Sequence, residues 1–258
     1  MPSTTLLVTD DGSRTLVSGR YGEAFRSRRG AHTEARHVFV EGTGVARRLA
    51  EGAPTAVLEV GLGAATNLAW TAAAAIGGGA PLRYQAWEPD PLPAAAWRDL
   101  GLEAAAPAAF VAALLSARAS WGRLALGEVR VWRHGPVRLE LVVAPIGWLP
   151  EGRVVDAPSV GVGALHETAF DAVYLDPFSP AVNPDAWTPA VLAALAARLG
   201  PGGVLASYSV AGRVRRALAA AGLEVAKVAG PPGGKREVLR ARRPPGARPL
   251  GAENTAAA

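Results

Sequence analysis

Residues 171–187 read DAVYLDPFSPAVNPDAW. An unbroken apolar run, Ala172 to Leu175, ends on a carboxylate, Asp176, and a proline-rich loop follows through Pro177, Phe178, Pro180, Pro184 and Trp187. A half-exposed strand alternates polar and apolar residues; an unbroken run is the mark of a strand buried on both faces, as in a parallel sheet. In open α/β sheets the ligand crevice lies outside the carboxyl ends of such strands. This stretch therefore predicts a buried strand that delivers Asp176 to a ligand crevice, on a loop whose prolines restrict its motion. Asp176 could instead do no more than cap a turn.

Outward from this strand the chain alternates. Strands are predicted at Ala56–Val60, Leu82–Trp87 and Val204–Tyr208, with helices at Thr66–Ala75, Ala94–Leu100, Ala108–Arg118 and Arg213–Ala221. Thr188 is the expected N-cap of a further helix, with Pro189 in its first turn and Gly200 beyond its end. Val129–Trp132 and Val137–Ala144 should pair across His134-Gly135, and Val225–Val228 with Val238–Ala241 across Pro231–Gly234. The fold class is α/β, a Rossmann-like doubly wound and mostly parallel sheet. Residues 1–54 form an extension that begins with a hairpin around Asp11-Gly12 and turns helical. Residues 55–242 form the α/β domain, and 243–258 a disordered tail. Residues 145–168 give no clear pattern.

Composition narrows the chemistry. The 258 residues include no cysteine, which excludes disulfides, thiol nucleophiles and cysteine-bound zinc. His32 and His37 beside Glu34 do not match a helical ligand pair, so no metal is expected. No signal peptide is evident and the alanine-rich stretches are too weakly apolar to span a bilayer, so the expectation is a cytoplasmic protein with no membrane partner. The net charge of +5 is compatible with a polyanion but also with an ordinary wet surface. Oligomeric state is not legible.

Three further features carry chemistry. Glu59-Val60-Gly61-Leu62-Gly63-Ala64-Ala65 joins a strand to a helix whose first residues, Thr66 and Asn67, offer free backbone N–H groups. Gly61 and Gly63 would let a ligand approach the backbone, although a tight turn alone could require them. The third glycine of the dinucleotide fingerprint is replaced by Thr66, which disfavours a nicotinamide cofactor. Glu88 ends the second strand, where a carboxylate accepts hydrogen bonds from ribose hydroxyls; it could also be a solvated loop acid. Arg213, Arg215, Arg216, Lys235 and Arg236 form two basic clusters, suited as a group to phosphates and individually to solvent.

With these residues in place the chain resembles the methyltransferase domain of the bacterial tRNA-modifying MnmC family, including its stand-alone MnmD type. The likeness runs from about Val17 to Arg240. Family patterns Phe-Asp-Asp-Val-Tyr-Phe-Ser and Glu-Thr-Arg-Tyr-Val-Phe-Leu fall on residues 21–27 and 34–40. The loop Glu-Thr-Gly-Phe-Gly-Thr-Gly falls on Glu59 to Ala65, and Leu-Asp-Gly-Phe-Ala-Pro-Ala-Lys-Asn-Pro-Asp-Met-Trp aligns with Leu175 to Trp187 without a gap. Residues 211–218 and 234–239 match its closing signatures.

The resemblance implies S-adenosyl-L-methionine as cofactor and methylation of the amine of 5-aminomethyl-(2-thio)uridine at the wobble position of tRNA, in the anticodon loop. It implies catalytic roles for Asp176 and Phe178, and cofactor contacts from Glu59, Gly61, Gly63, Thr66, Asn67 and Glu88. Substrate contacts would come from Tyr21, Glu34, Trp187, Arg213, Arg216, Lys235 and Arg236. The chain departs from the pattern at Phe25, Thr43 and Ala65, and at Ala144-Pro145, where the family carries a Gly-Asp suited to adenine. An aminopropyltransferase of the spermidine-synthase type and a non-catalytic RNA-binding relative are the alternatives.

Overall fold

The computed structural model describes residues 4–150 and 169–246. The core is an eight-stranded sheet. Its parallel strands are β3 (Thr55–Val60), β4 (Leu82–Trp87), β6 (Val137–Val142), β7 (Phe170–Leu175) and β8 (Leu199–Ser207). In space they run β6-β4-β3-β7-β8. The chain builds outward from β3 to one side, then returns to lay β7 against its other edge. The strand order therefore reverses between β3 and β7, where neighbouring loops diverge and leave a crevice. Val60 pairs with Leu175 at the top of that seam, so the glycine loop and Asp176 emerge side by side.

Antiparallel strands close both edges. β5 (Val129–His134) pairs with β6, as expected from the His134-Gly135 turn. β10 (Glu237–Arg242) pairs with β8 and with β9 (Glu224–Ala229). Because β10 runs against β8, the loop before β10 returns Lys235 to the crevice end of the sheet. β7 is buried along both faces, as the unbroken apolar run requires.

The helices are α3 (Thr66–Gly78), α4 (Ala94–Arg98), α5 (Ala108–Ser120), α6 (Pro189–Arg198) and α7 (Gly212–Ala220). Thr188 caps α6, its hydroxyl accepting from Val191 N–H at 3.3 Å; such a cap contributes about 1 kcal/mol. The strand after α6 begins at Leu199, five residues before the sequence reading placed it, so Gly200 lies inside β8.

The N-terminal extension is a hairpin, β1 (Thr4–Val8) and β2 (Arg14–Ser18), followed by α1 (Ala31–Glu34), a widened π-type turn (Ala35–Glu41) and α2 (Val45–Ala50). Val38, Phe39, Val45 and Leu49 lie in the same apolar cluster as Val57 and Tyr174 of the sheet, so the extension shares the sheet's core. Arg243 falls in the expected disordered tail, yet it is buried and donates to the Leu199 carbonyl at 2.7 Å. The rest of that expected tail, from residue 247, lies outside the described residues, as do residues 151–168. Among the described residues no helix is long and apolar enough to cross a membrane.

Candidate active site

A cavity of about 1500 Å³ opens at the reversal between β3 and β7. Typical small-molecule sites occupy roughly 300–1,000 Å³, so there is space for a cofactor and an acceptor group together.

The glycine loop forms one wall. Gly61 has φ +87°, and a Cβ there would stand 2.9 Å from the Asp176 carbonyl oxygen. Only glycine allows β3 and β7 to release their loops this close together. Gly63 has φ +42°, and its missing Cβ leaves room for the Phe25 ring. Ala65 takes the last loop position at φ 55°, a left-handed conformation that costs an alanine roughly 1–2 kcal/mol. Ala65 therefore holds, at that cost, a conformation that a glycine would adopt freely.

Glu88 borders the cavity at the end of β4. Its carboxylate accepts from Gly63 N–H at 3.1 Å and from Asp90 N–H at 3.0 Å. Desolvation raises its pKa above the usual carboxylate value, while these two hydrogen bonds oppose the rise. Arg118 fixes the loop beyond it, donating to the carbonyls of Pro91, Leu92 and Gly122 at 2.8–3.0 Å. Where the family pattern has Gly-Asp, this chain presents an apolar wall of Pro145, Ile146, Trp148 and Leu126.

A further part of the lining is aromatic. Phe178 stacks on Tyr21, with centroids 4.3 Å apart, and meets the edge of Phe25 at 4.9 Å. The backbone of its loop is held from several directions. Tyr208 donates to Pro177 O at 2.7 Å, Trp187 Nε1 to Phe178 O at 2.9 Å and Arg213 to Pro180 O at 2.8 Å. Ser179 N–H and Oγ both donate to the Glu23 carboxylate, at 3.0 and 2.5 Å.

Beneath the floor lies a buried polar network. Asp176 accepts from Asn67 Nδ2 at 2.9 Å, and the same amide donates to Glu59 at 2.8 Å. Tyr84 donates to the other Glu59 oxygen at 2.8 Å. Burial pushes the Glu59 pKa up to about 7, against Arg26 and these hydrogen bonds, which lower it. Arg26 enters from the N-terminal extension and pairs with both Asp176 and Glu59.

Of the residues singled out in the sequence, Tyr21, Glu34, Gly61, Gly63, Glu88, Asp176, Phe178 and Lys235 border the cavity. Glu59, Thr66, Asn67 and Trp187 are buried behind its walls. Arg213, Arg216 and Arg236 are exposed on the surface away from the lining, and Arg213 already serves Pro180. Lys235 lies 4.2 Å from the centre of the Tyr208 ring with its side chain still open to solvent; desolvation lowers its pKa, with Glu34 and Glu23 acting the other way. Sequence reasoning missed Arg26, Arg28, Arg29, Glu23 and Tyr208. The first three sit in one arginine-rich run, RSRRG, and the sequence carries no signal for which of them turns inward.

The residues fit a nucleoside cofactor with a cationic centre. The backbone of the glycine loop, at Gly61, Gly63 and Ala64, borders the cavity, Asp176 and Glu88 bring carboxylates to it, and the apolar wall suits a flat heterocycle. A family model described as S-adenosyl-L-methionine-dependent methyltransferase matches residues 154–244. The chain is 34% identical over 247 residues to the tRNA 5-methylaminomethyl-2-thiouridine biosynthesis bifunctional protein MnmC of Aromatoleum aromaticum, covering 92% of this chain and 35% of that protein. It is 38% identical over 258 residues to the MnmC of Caulobacter vibrioides, covering 95% and 39%. The chain thus spans little more than a third of the length of these curated relatives. The crystal structure of MnmC2 from Aquifex aeolicus shares the fold at a TM-score of 0.72, with 23% identity over 96% of this chain and 72% of that one. A spermidine synthase from Thermotoga maritima shares it at 0.53, with 12% identity over 97% and 72%. With the glycine cradle, the strand-end carboxylates and these relatives together, the chain belongs to the S-adenosyl-L-methionine-dependent methyltransferases of the MnmC type.

Proposed function

We propose that the protein methylates the exocyclic amine of 5-aminomethyl-(2-thio)uridine at the wobble position of tRNA, giving the 5-methylaminomethyl form. The observation that carries this reading is the cavity at the reversal of strand order, which the glycine loop, Asp176 and the stacked Tyr21 and Phe178 all line. The relatives in 5-methylaminomethyl-2-thiouridine biosynthesis suggest the substrate class.

Bound S-adenosyl-L-methionine supplies a methyl group already activated on a sulfonium. The chain's task is to position the acceptor and leave its amine unprotonated. Gly61, Gly63 and Glu88 would hold the cofactor, with Glu59, Thr66 and Asn67 shaping the loop from behind. Phe178 and Tyr21 offer stacking faces for a uridine taken out of the anticodon stack. Asp176 would accept a hydrogen bond from the amine and aim its lone pair. The basic rim, with Arg20, Arg28, Arg29 and Lys235 at the mouth, would meet phosphates of the anticodon arm.

The test is transfer of labelled methyl from S-adenosyl-L-methionine to tRNA carrying 5-aminomethyl-2-thiouridine, with unmodified tRNA as control. Label in 5-methylaminomethyl-2-thiouridine after nucleoside digestion is the expected result. Transfer of an aminopropyl group from the decarboxylated cofactor, or RNA binding with no transfer at all, would overturn it; neither alternative has a structural observation in its favour.

A further inference from the structure

A carboxylate beside a reacting amine carries a contradiction. Its charge favours the ammonium form, which has no lone pair to attack with. The buried corner around Asp176 holds a counter-charge. Arg26 contacts Asp176 Oδ2 and lies 3.6 Å from Glu59 Oε1, and the side chains of Arg26, Asp176 and Glu59 are 2, 3 and 0% exposed. Its own backbone N–H donates to Thr15 Oγ1 at 3.1 Å, and its guanidinium lies 5.8 Å from the centre of the Phe39 ring. Arg26 is thereby fixed at both ends. Asn67 Nδ2 reaches the same Oδ2 atom. Among the described residues no hydrogen bond to Oδ1 accompanies these contacts on Oδ2, and Asp176 borders the cavity.

Building on the methyltransferase reading above, we propose that Arg26 is a positioning residue that cancels the charge of Asp176, so that the site takes its acceptor amine without the proton and leaves Oδ1 to orient it. The other charged groups at this corner have partners of their own. On β3, burial raises the Glu59 pKa to about 7, and its carboxyl accepts from Tyr84 of β4. At the end of β4, Glu88 is bound to the glycine loop. From the extension, Glu23 is taken by Ser179, and Glu34 accepts from Ser27 N–H at 2.9 Å. From the far side Lys235 lies over Tyr208, adding positive charge that also disfavours an ammonium.

The experiment counts protons. The full-length protein, with S-adenosyl-L-homocysteine present so that no transfer occurs, is titrated with an anticodon stem-loop bearing 5-aminomethyluridine. Calorimetry at pH 7 in two buffers of different ionisation enthalpy gives the protons released, and an unmodified stem-loop supplies the baseline. Wild type is expected to release about one proton per stem-loop above that baseline, because a free alkylamine is protonated at this pH. Arg26→Lys keeps the release, and Arg26→Gln, which leaves Asp176 unpaired, abolishes it. Should Arg26→Gln fail to fold, the neutral pair Arg26→Gln/Asp176→Asn decides, since it must release the proton as wild type does. Wild type that binds the modified loop without proton release overturns the proposal alone, as does unchanged release in Arg26→Gln or no release in the neutral pair. Wild type that does not distinguish the two loops overturns the methyltransferase reading, and the proposal with it.

Discussion

At the scale of single residues the site is a question of which carboxylates are charged. Asn67 and Arg26 both meet Oδ2 of Asp176, so in its amide replacement the oxygen stays with these donors, the NH2 takes the place of Oδ1, and the acceptor that would aim the amine in the proposed reaction is lost. Asp176→Asn is expected to lower kcat by roughly 10²-fold or more, with cofactor affinity within a few-fold of wild type; single-turnover transfer and calorimetry separate the two. Glu59 behaves differently, because burial raises its folded pKa to about 7 from an ordinary 4.5. Its stabilising contribution is fully present below the unfolded value and is lost as pH rises from about 4.5 through 7. Urea unfolding of the ligand-free protein across that window should therefore show a decline on the order of 3 kcal/mol that Glu59→Gln does not share. Equal slopes in the two proteins would remove Glu59 as the cause.

At the scale of elements, loops that look irregular are held by side chains far away in sequence. Arg118 on α5 satisfies three carbonyls in the turns around the β4 exit and its own C-terminus. Arg118→Met should cost about 3 kcal/mol of stability and weaken S-adenosyl-L-methionine binding, since Glu88 begins that loop; a thermal melt and a cofactor titration read both. Unchanged cofactor affinity would separate the loop from the binding site. The elements themselves were largely legible. The unbroken apolar run of β7, the Thr188-Pro189 helix start and the His134-Gly135 and Pro231–Gly234 turns all write their geometry in local residue chemistry. The wide turn at Ala35–Glu41 was read only as helix, because a change in hydrogen-bond period leaves little trace in composition. Long-range partners were invisible for the same reason. Nothing within RSRRG distinguishes Arg26, buried against Asp176, from Arg28 and Arg29, exposed at the rim. The basic clusters at 213–216 and 235–236 were equally visible in sequence, yet only Lys235 reaches the cavity, because the antiparallel return of β10 brings its loop there.

At the scale of the whole molecule, the N-terminal extension and the sheet share one core and one cavity, so the extension supplies both the inward Arg26 and the outward Arg20, Arg28 and Arg29. If that rim meets the anticodon arm, replacing Arg20, Arg28 and Arg29 by glutamine should flatten the dependence of log K on log salt by roughly 2. The double change Arg213→Gln/Arg216→Gln should flatten it less, and filter binding over a salt series tells them apart. The reverse ranking would move the RNA to the α7 side. The backbone around Phe178 spends its polar groups internally: the carbonyls of Pro177, Phe178 and Pro180 and the amide of Ser179 all have side-chain partners. This wall consequently offers a base its faces to lie on and few edges to read. A surface of that kind accepts any flat ring of suitable size, so in the proposed reaction fidelity for one nucleotide among its neighbours would have to come from the substituent that reaches Asp176 and from the reach of the RNA strand, which would make the enzyme a reader of a chemical handle more than of a letter.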